Sequence, residues 1–101
     1  MARLIWTKRA VTDLNYISEY IAFENRDAAK RLVRRVYSHV KQLSQHPFSG
    51  SVPEELEGTR YRQIIEPPCR VFHEVRRDTI FVLHVIRGEE IVRISNLEMP
   101  E

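Results

Sequence analysis

Two imidazoles, one thiol and a set of arginines lie in or beside a single stretch of the chain, CRVFHEVRRDTIFVLHVIRG, residues 69 to 88. His73 and His84 titrate near neutrality and could serve as acid–base groups. Both also stand among apolar neighbours, as core or edge histidines with local hydrogen bonds do. Cys69 has no activating partner implied around it and reads as a buried small residue. Four scattered histidines and one cysteine show no zinc spacing, so neither metal nor cofactor is expected. Of the 16 basic residues, 13 are arginine. Arginine makes bidentate contacts to carboxylate and phosphate, which suits an acidic protein partner or an RNA backbone.

These groups must be held by 101 residues, enough for one domain. A net charge of +2 is too small to argue for nucleic acid, and 43% apolar content is that of a soluble globular protein. No apolar run reaches the length of a membrane span. MARLIWTKRA lacks a signal peptide's apolar core, and a single cysteine forms no internal disulfide. A cytoplasmic location is expected.

ARLIW, residues 2–6, reads as an N-terminal strand, with Thr7 as a helix cap. Ala10, Leu14, Ile17 and Ile21 then mark one face of a helix over 8–24. Asn25 ends this helix or caps the next. In the second helix Ala29, Leu32, Val33, Val36, Val40 and Leu43 face inward, and Lys30, Arg31, Arg34 and Arg35 form a basic outer side, by default a solvated one. The short link makes the pair an antiparallel hairpin. Residues 46–59 form a loop. Strands follow over Arg60–Glu66, Cys69–Arg76 and Thr79–Arg87, with Arg77-Asp78 as a tight turn. Ile91–Ile94 is expected as a last short strand, and NLEMPE as a loose tail. The fold class is α+β: an N-terminal strand, a two-helix hairpin, then a three- to four-stranded antiparallel sheet.

Strict alternation sorts the hairpin at residues 69–87 into two faces. One holds Val71, His73, Val75, Ile80, Val82, His84 and Ile86 and is expected beneath the helices. The other carries a stripe of Phe72, Phe81, Leu83 and Val85, rimmed by Arg70 and Arg87, with no third helix to cover it. Such a stripe marks a binding site unless the loop or the tail folds over it. Burying a few hundred Å² at roughly 25 cal/mol per Å² would give a partner several kcal/mol.

The order of elements and the segment Cys69, Arg70, Val71, Phe72, Asp78 and Ile80 through Gly88 resemble the RelE/ParE superfamily of bacterial toxins. AVTDLNYISEYI, LSQHPFSG and Val52-Pro53-Glu54 add to the match, which covers almost the whole chain. The resemblance implies a toxin neutralised by a cognate antitoxin wrapped on its surface, which fits the open stripe: Phe72, Phe81, Leu83 and Val85, with Arg70 and Arg87, are the expected contacts. RelE-like members cut mRNA on the ribosome; ParE-like members poison DNA gyrase. The ribonuclease chemistry needs a base, an acid and cations for the phosphate. The residues available are Arg70 with Arg60, Arg62 or His84, and Glu54 as a base. Glu89 and Glu90 stand where that branch often adds a basic residue after the final glycine, and EELEG replaces a lysine-rich loop. These departures favour the ParE-like branch, with gyrase as target and no catalytic residues.

Overall fold

The computed structural model describes residues 1–99. The elements run β1 (Arg3–Trp6), α1 (Lys8–Ala22), α2 (Arg26–Lys41), β2 (Tyr61–Glu66), β3 (Cys69–Arg76) and β4 (Thr79–Arg87). Short 3-10 turns occupy Gln42–Ser44, Glu54–Leu56 and Ile94–Asn96. The α+β class and the bounds of β3 and β4 are those expected from the sequence.

Local chemistry sets the helix ends. The Thr7 hydroxyl accepts from the Ala10 N–H at 3.2 Å and donates to the Val82 carbonyl at 2.8 Å, so it both caps α1 and ties it to β4. Asn25 Oδ1 accepts from the Ala28 N–H at 3.0 Å and starts α2. Asp27 then sits in that helix's first turn, where the dipole favours an acid.

The sheet order is β1-β4-β3-β2. The β2–β3 and β3–β4 pairs are antiparallel, whereas β1 runs parallel to β4. The chain's first strand therefore lies beside its last. Pro67-Pro68 connects β2 to β3 through a cis peptide bond. Arg77 in the β3–β4 turn adopts φ 56°, a left-handed backbone that only one residue of this tight turn needs. Gly50 (φ 85°) lies so close to β2 that a Cβ would fall 2.1 Å from the Gln63 carbonyl oxygen. This approach lets Ser51 bridge to Gln63 and cover part of the outer strand's free edge.

Strict alternation fails at one place. Phe72 opposes His84, but His73 opposes Val82, so Leu83 is an extra residue and β4 carries a bulge. Leu83 and His84 both turn toward the second face, and everything beyond them changes side. Val85, expected in the open stripe, packs instead in the core under the helices with Val71, Val82 and Leu14. Ile86 makes the opposite move and joins Phe72 and Leu83. Arg87 likewise leaves the second face and lies over the Tyr20 ring of α1, 5.4 Å from its centroid.

The second face is covered. Leu56, Val92 and Leu97 close over Phe72, Leu83, Ile86 and Tyr61, with Phe81 and Met99 at the margin. Phe72 is 0% and Leu83 2% exposed. The expected open stripe is thus a second small core, sealed by the loop before β2 and the segment after β4. The expected strand at Ile91–Ile94 does not form; that segment runs irregularly into the turn at Ile94–Asn96. The tail, expected loose, is pinned by Leu97 and Met99, while Pro100 and Glu101 lie outside the described residues.

Candidate functional site

The second face and its rim hold Arg60 and Arg70, each with a carboxylate partner, whereas Arg62 and Arg87 lie off it. Arg70, on β3, has a side chain only 14% exposed. Its Nε donates to Gln63 Oε1 at 2.8 Å, its Nη1 to the Glu90 carbonyl at 3.4 Å, and its Nη2 pairs with Glu55. The guanidinium also stacks over the Phe72 ring at 5.1 Å. The EELEG segment and the acidic segment after Gly88 therefore converge on this one cation, each taking part of its hydrogen-bonding fork.

Arg60 lies just before β2 and pairs with Glu74, Nε to Oε1 at 2.9 Å. The other Glu74 oxygen takes Arg76 Nε at 2.5 Å. Glu74 is 1% exposed, so two cations hold one buried carboxylate. The hydrogen bond and charge of Glu74 raise the Arg60 pKa above its usual value. Arg62 follows on the opposite face of β2, where its Nη2 donates to the Phe48 carbonyl at 2.7 Å.

His84 is brought by the bulge alongside Phe72, ring centroids 6.3 Å apart. Its Nδ1–H donates to Asp13 Oδ2 at 2.5 Å. The same oxygen accepts the Val85 N–H at 3.1 Å, so Asp13 clamps the edge of β4 just past the end of β1. His73 is wholly buried under the helices, and its Nε2–H donates to the Pro47 carbonyl at 3.2 Å. Burial, with help from nearby Arg62, lowers its pKa to about 4, so it stays neutral near pH 7. Cys69 is fully buried, and desolvation pushes its thiol up to about 11, which disfavours the nucleophilic thiolate. Glu54 is exposed in the turn at Glu54–Leu56; its neighbour Glu55 is the one that reaches Arg70.

The four residues available to a ribonuclease are thus dispersed among separate partners. Among the described residues no hydrogen bond or ion pair joins Arg60, Arg62, Arg70 or His84 to one another, and no cluster of metal-ligating side chains is present. Of the six residues expected to meet an antitoxin, Phe72, Leu83 and Val85 are buried, whereas Phe81, Arg70 and Arg87 keep part of their surface. Asp13 and Glu55 were not singled out from the sequence. Glu55 had a legible cue, standing in the acidic EELEG run; Asp13, one polar residue on a helix flank, had none.

A two-helix hairpin laid on one face of a four-stranded sheet, with its second face closed by a loop and the tail, defines a small α+β protein. A family model described as the ParE toxin of the type II toxin–antitoxin system parDE matches residues 4–92. The chain belongs to this family. It is 33% identical over 84 residues to the Sinorhizobium fredii protein named "Putative toxin Y4kP", covering 81% of this chain and 86% of the relative. It is 28% identical over 94 residues to "Toxin RelE2" of Caulobacter vibrioides, covering 93% of this chain and 100% of the relative. A solved structure of the chromosomal ParDE system from P. aeruginosa superposes with a TM-score of 0.73 at 28% identity, over 88% of this chain and 98% of that one. A toxin of this kind implies an antitoxin as partner. No helix among the described residues is long and apolar enough to cross a membrane.

Proposed function

We propose that this toxin arrests growth by acting on DNA gyrase, with no hydrolytic step of its own, and is held inactive by a cognate antitoxin. The observation that carries the reading is the state of Arg70. Arg70, the cation common to every version of a phosphate-cleaving site considered above, is occupied by Glu55, Gln63 and the Glu90 carbonyl. A phosphate arriving there would meet a carboxylate already in place and would have to displace it. His84 is similarly committed to Asp13. The ParE family model and the ParDE neighbour support the same branch.

A second reading, cleavage of mRNA on the ribosome, is favoured by the name of the Caulobacter relative. One set of measurements separates the two. The toxin, produced without antitoxin, is assayed for growth arrest, for inhibition of gyrase supercoiling, and for cuts in translating mRNA mapped by primer extension. Blocked supercoiling with intact mRNA supports the gyrase reading. Cut mRNA, with cutting abolished in Arg70→Ala, overturns it in favour of the second. Unimpaired growth would defeat both. Phe81, Arg70 and Arg87 remain candidates for antitoxin contact, since each keeps part of its surface.

A further inference from the structure

Large aromatic side chains stand in water along one flank of α1. Tyr16 is 74%, Tyr20 67% and Phe23 93% exposed. Phe23 is the helix's C-cap and keeps a helical backbone, so it continues the same spiral. Arg9, in the first turn, is exposed as well. Steps of seven, four and three residues lead from Arg9 through Tyr16 and Tyr20 to Phe23, which sets all four in one stripe. The stripe lies opposite Ser18 and Ala22, the residues of α1 that border α2. Arg87 of β4 lies over the Tyr20 ring and marks the margin toward the sheet. An aromatic side chain presents about 150–250 Å², so the three leave about 450 Å² in water. A patch of that size on a single chain is commonly functional.

We propose that this flank of α1 is a self-association surface, on which a second copy of the chain lies antiparallel with the twofold axis at Tyr16. The spacing is symmetric about that residue: Arg9 and Phe23 each stand seven positions from it. A twofold axis there stacks the two Tyr16 rings, sets each Arg9 over the Phe23 ring of the other copy, and lays each Tyr20 against the small Thr12. It also brings Glu24 of one copy to Lys8 and Arg9 of the other. Among the described residues none of these three charges has an ion-pair partner in its own chain. The rings of two copies bury about 900 Å² together, and the residues at the two ends raise this to about 1,200 Å², the lower bound of a specific interface. A partner of one charge sign fits less well. One end of the stripe is basic and the other acidic, and a reversed copy answers both. A nucleic-acid strand would stack on the rings, but Asp13, Glu19 and Glu24 border the stripe and repel phosphate. The pairing calls on neither target nor antitoxin, so it stands apart from the gyrase reading.

Sedimentation velocity of the intact chain, from about 1 to about 200 µM, tests the pairing. The mass is expected to rise from one copy to two, with a Kd on the order of 10 µM for an interface of this size. Tyr16→Glu places two carboxylates on the axis and should weaken self-association at least about tenfold. Two charge variants test the orientation. One carries Lys8→Glu with Arg9→Glu, the other Glu24→Lys. Alone, each sets like charges together at both ends and should associate at least about threefold more weakly. Mixed in equal amounts, they meet with opposite charges at both ends and should pair within about threefold of the unaltered chain. A chain that is monomeric at about 200 µM, a dimer that tolerates Tyr16→Glu, or a mixture no better than its parts would each overturn the proposal. So would a uridine oligonucleotide that dissociates the dimer at equal concentration. Circular dichroism establishes that the variants are folded, all being at exposed positions. Should Tyr16→Glu fail to fold, Phe23→Glu replaces it, with the same loss of about tenfold expected.

Discussion

Three polar residues show how the environment decides what a side chain can do. His73 and His84 have the same chemistry in the sequence, yet one is sealed beneath the helices and the other is held by Asp13. For His73 the consequence is a pH-dependent stability. Its pKa falls from the ordinary 6.5 to about 4 in the folded protein. Between those values the unfolded chain binds the proton and the folded chain does not, so stability declines as pH falls from 6.5 toward 4 and levels off below. The full shift corresponds to about 3 kcal/mol. Denaturant unfolding at pH 7 and pH 4.5 should therefore show a drop of about 2–3 kcal/mol that is absent in His73→Asn. Equal pH profiles for the two proteins would mean that His73 is solvated. Glu55 teaches the same lesson for Arg70: a basic side chain in a suggestive position is not a free cation once a carboxylate has claimed it.

At the level of elements, the helices, β3 and β4 were legible because each depends on local periodicity and punctuation. Ala10, Leu14 and Ile17 recur at helical spacing, Thr7 and Asn25 cap, and Arg77-Asp78 turns. The bulge at Leu83 was not legible. No glycine or proline marks it; it arises where β1 ends and Asp13 reaches across to His84 and the Val85 N–H, a contact between residues 72 apart in sequence. A single inserted residue then sent Val85 and Arg87 to the helix side and Ile86 to the other. The tail was misjudged for a related reason. Val92, Leu97 and Met99 have no regular period, so nothing local shows that they share a destination. Leu97 is 1% exposed, and Leu97→Ala should cost about 2–4 kcal/mol in denaturant unfolding. A loss under about 0.5 kcal/mol, the usual range for surface positions, would mean that the tail does not seal the second core.

The whole molecule is a sheet between two unequal covers. One is the helical hairpin, which packs on Ile64, Val71, Ile80, Val82 and Val85; the other is assembled from Leu56 and the residues after Gly88. Removing the chain from Val92 onward should therefore do more than trim an end. Phe72, Leu83 and Ile86 would be bared together, and the shortened protein should bind a hydrophobic dye and lose its sharp unfolding transition. A truncated protein that still unfolds cooperatively would show the second cover to be dispensable. The parallel pairing of β1 with β4 has a consequence for synthesis. Residues 3–6 are made long before residues 79–82, yet pair only with them. Until then the hairpin of α1 and α2 lacks β4, the strand on which α1 packs, and that part of its apolar side stays uncovered. The inward side of α1 thus waits, in each round of translation, for the strand that is made after all the others of the sheet.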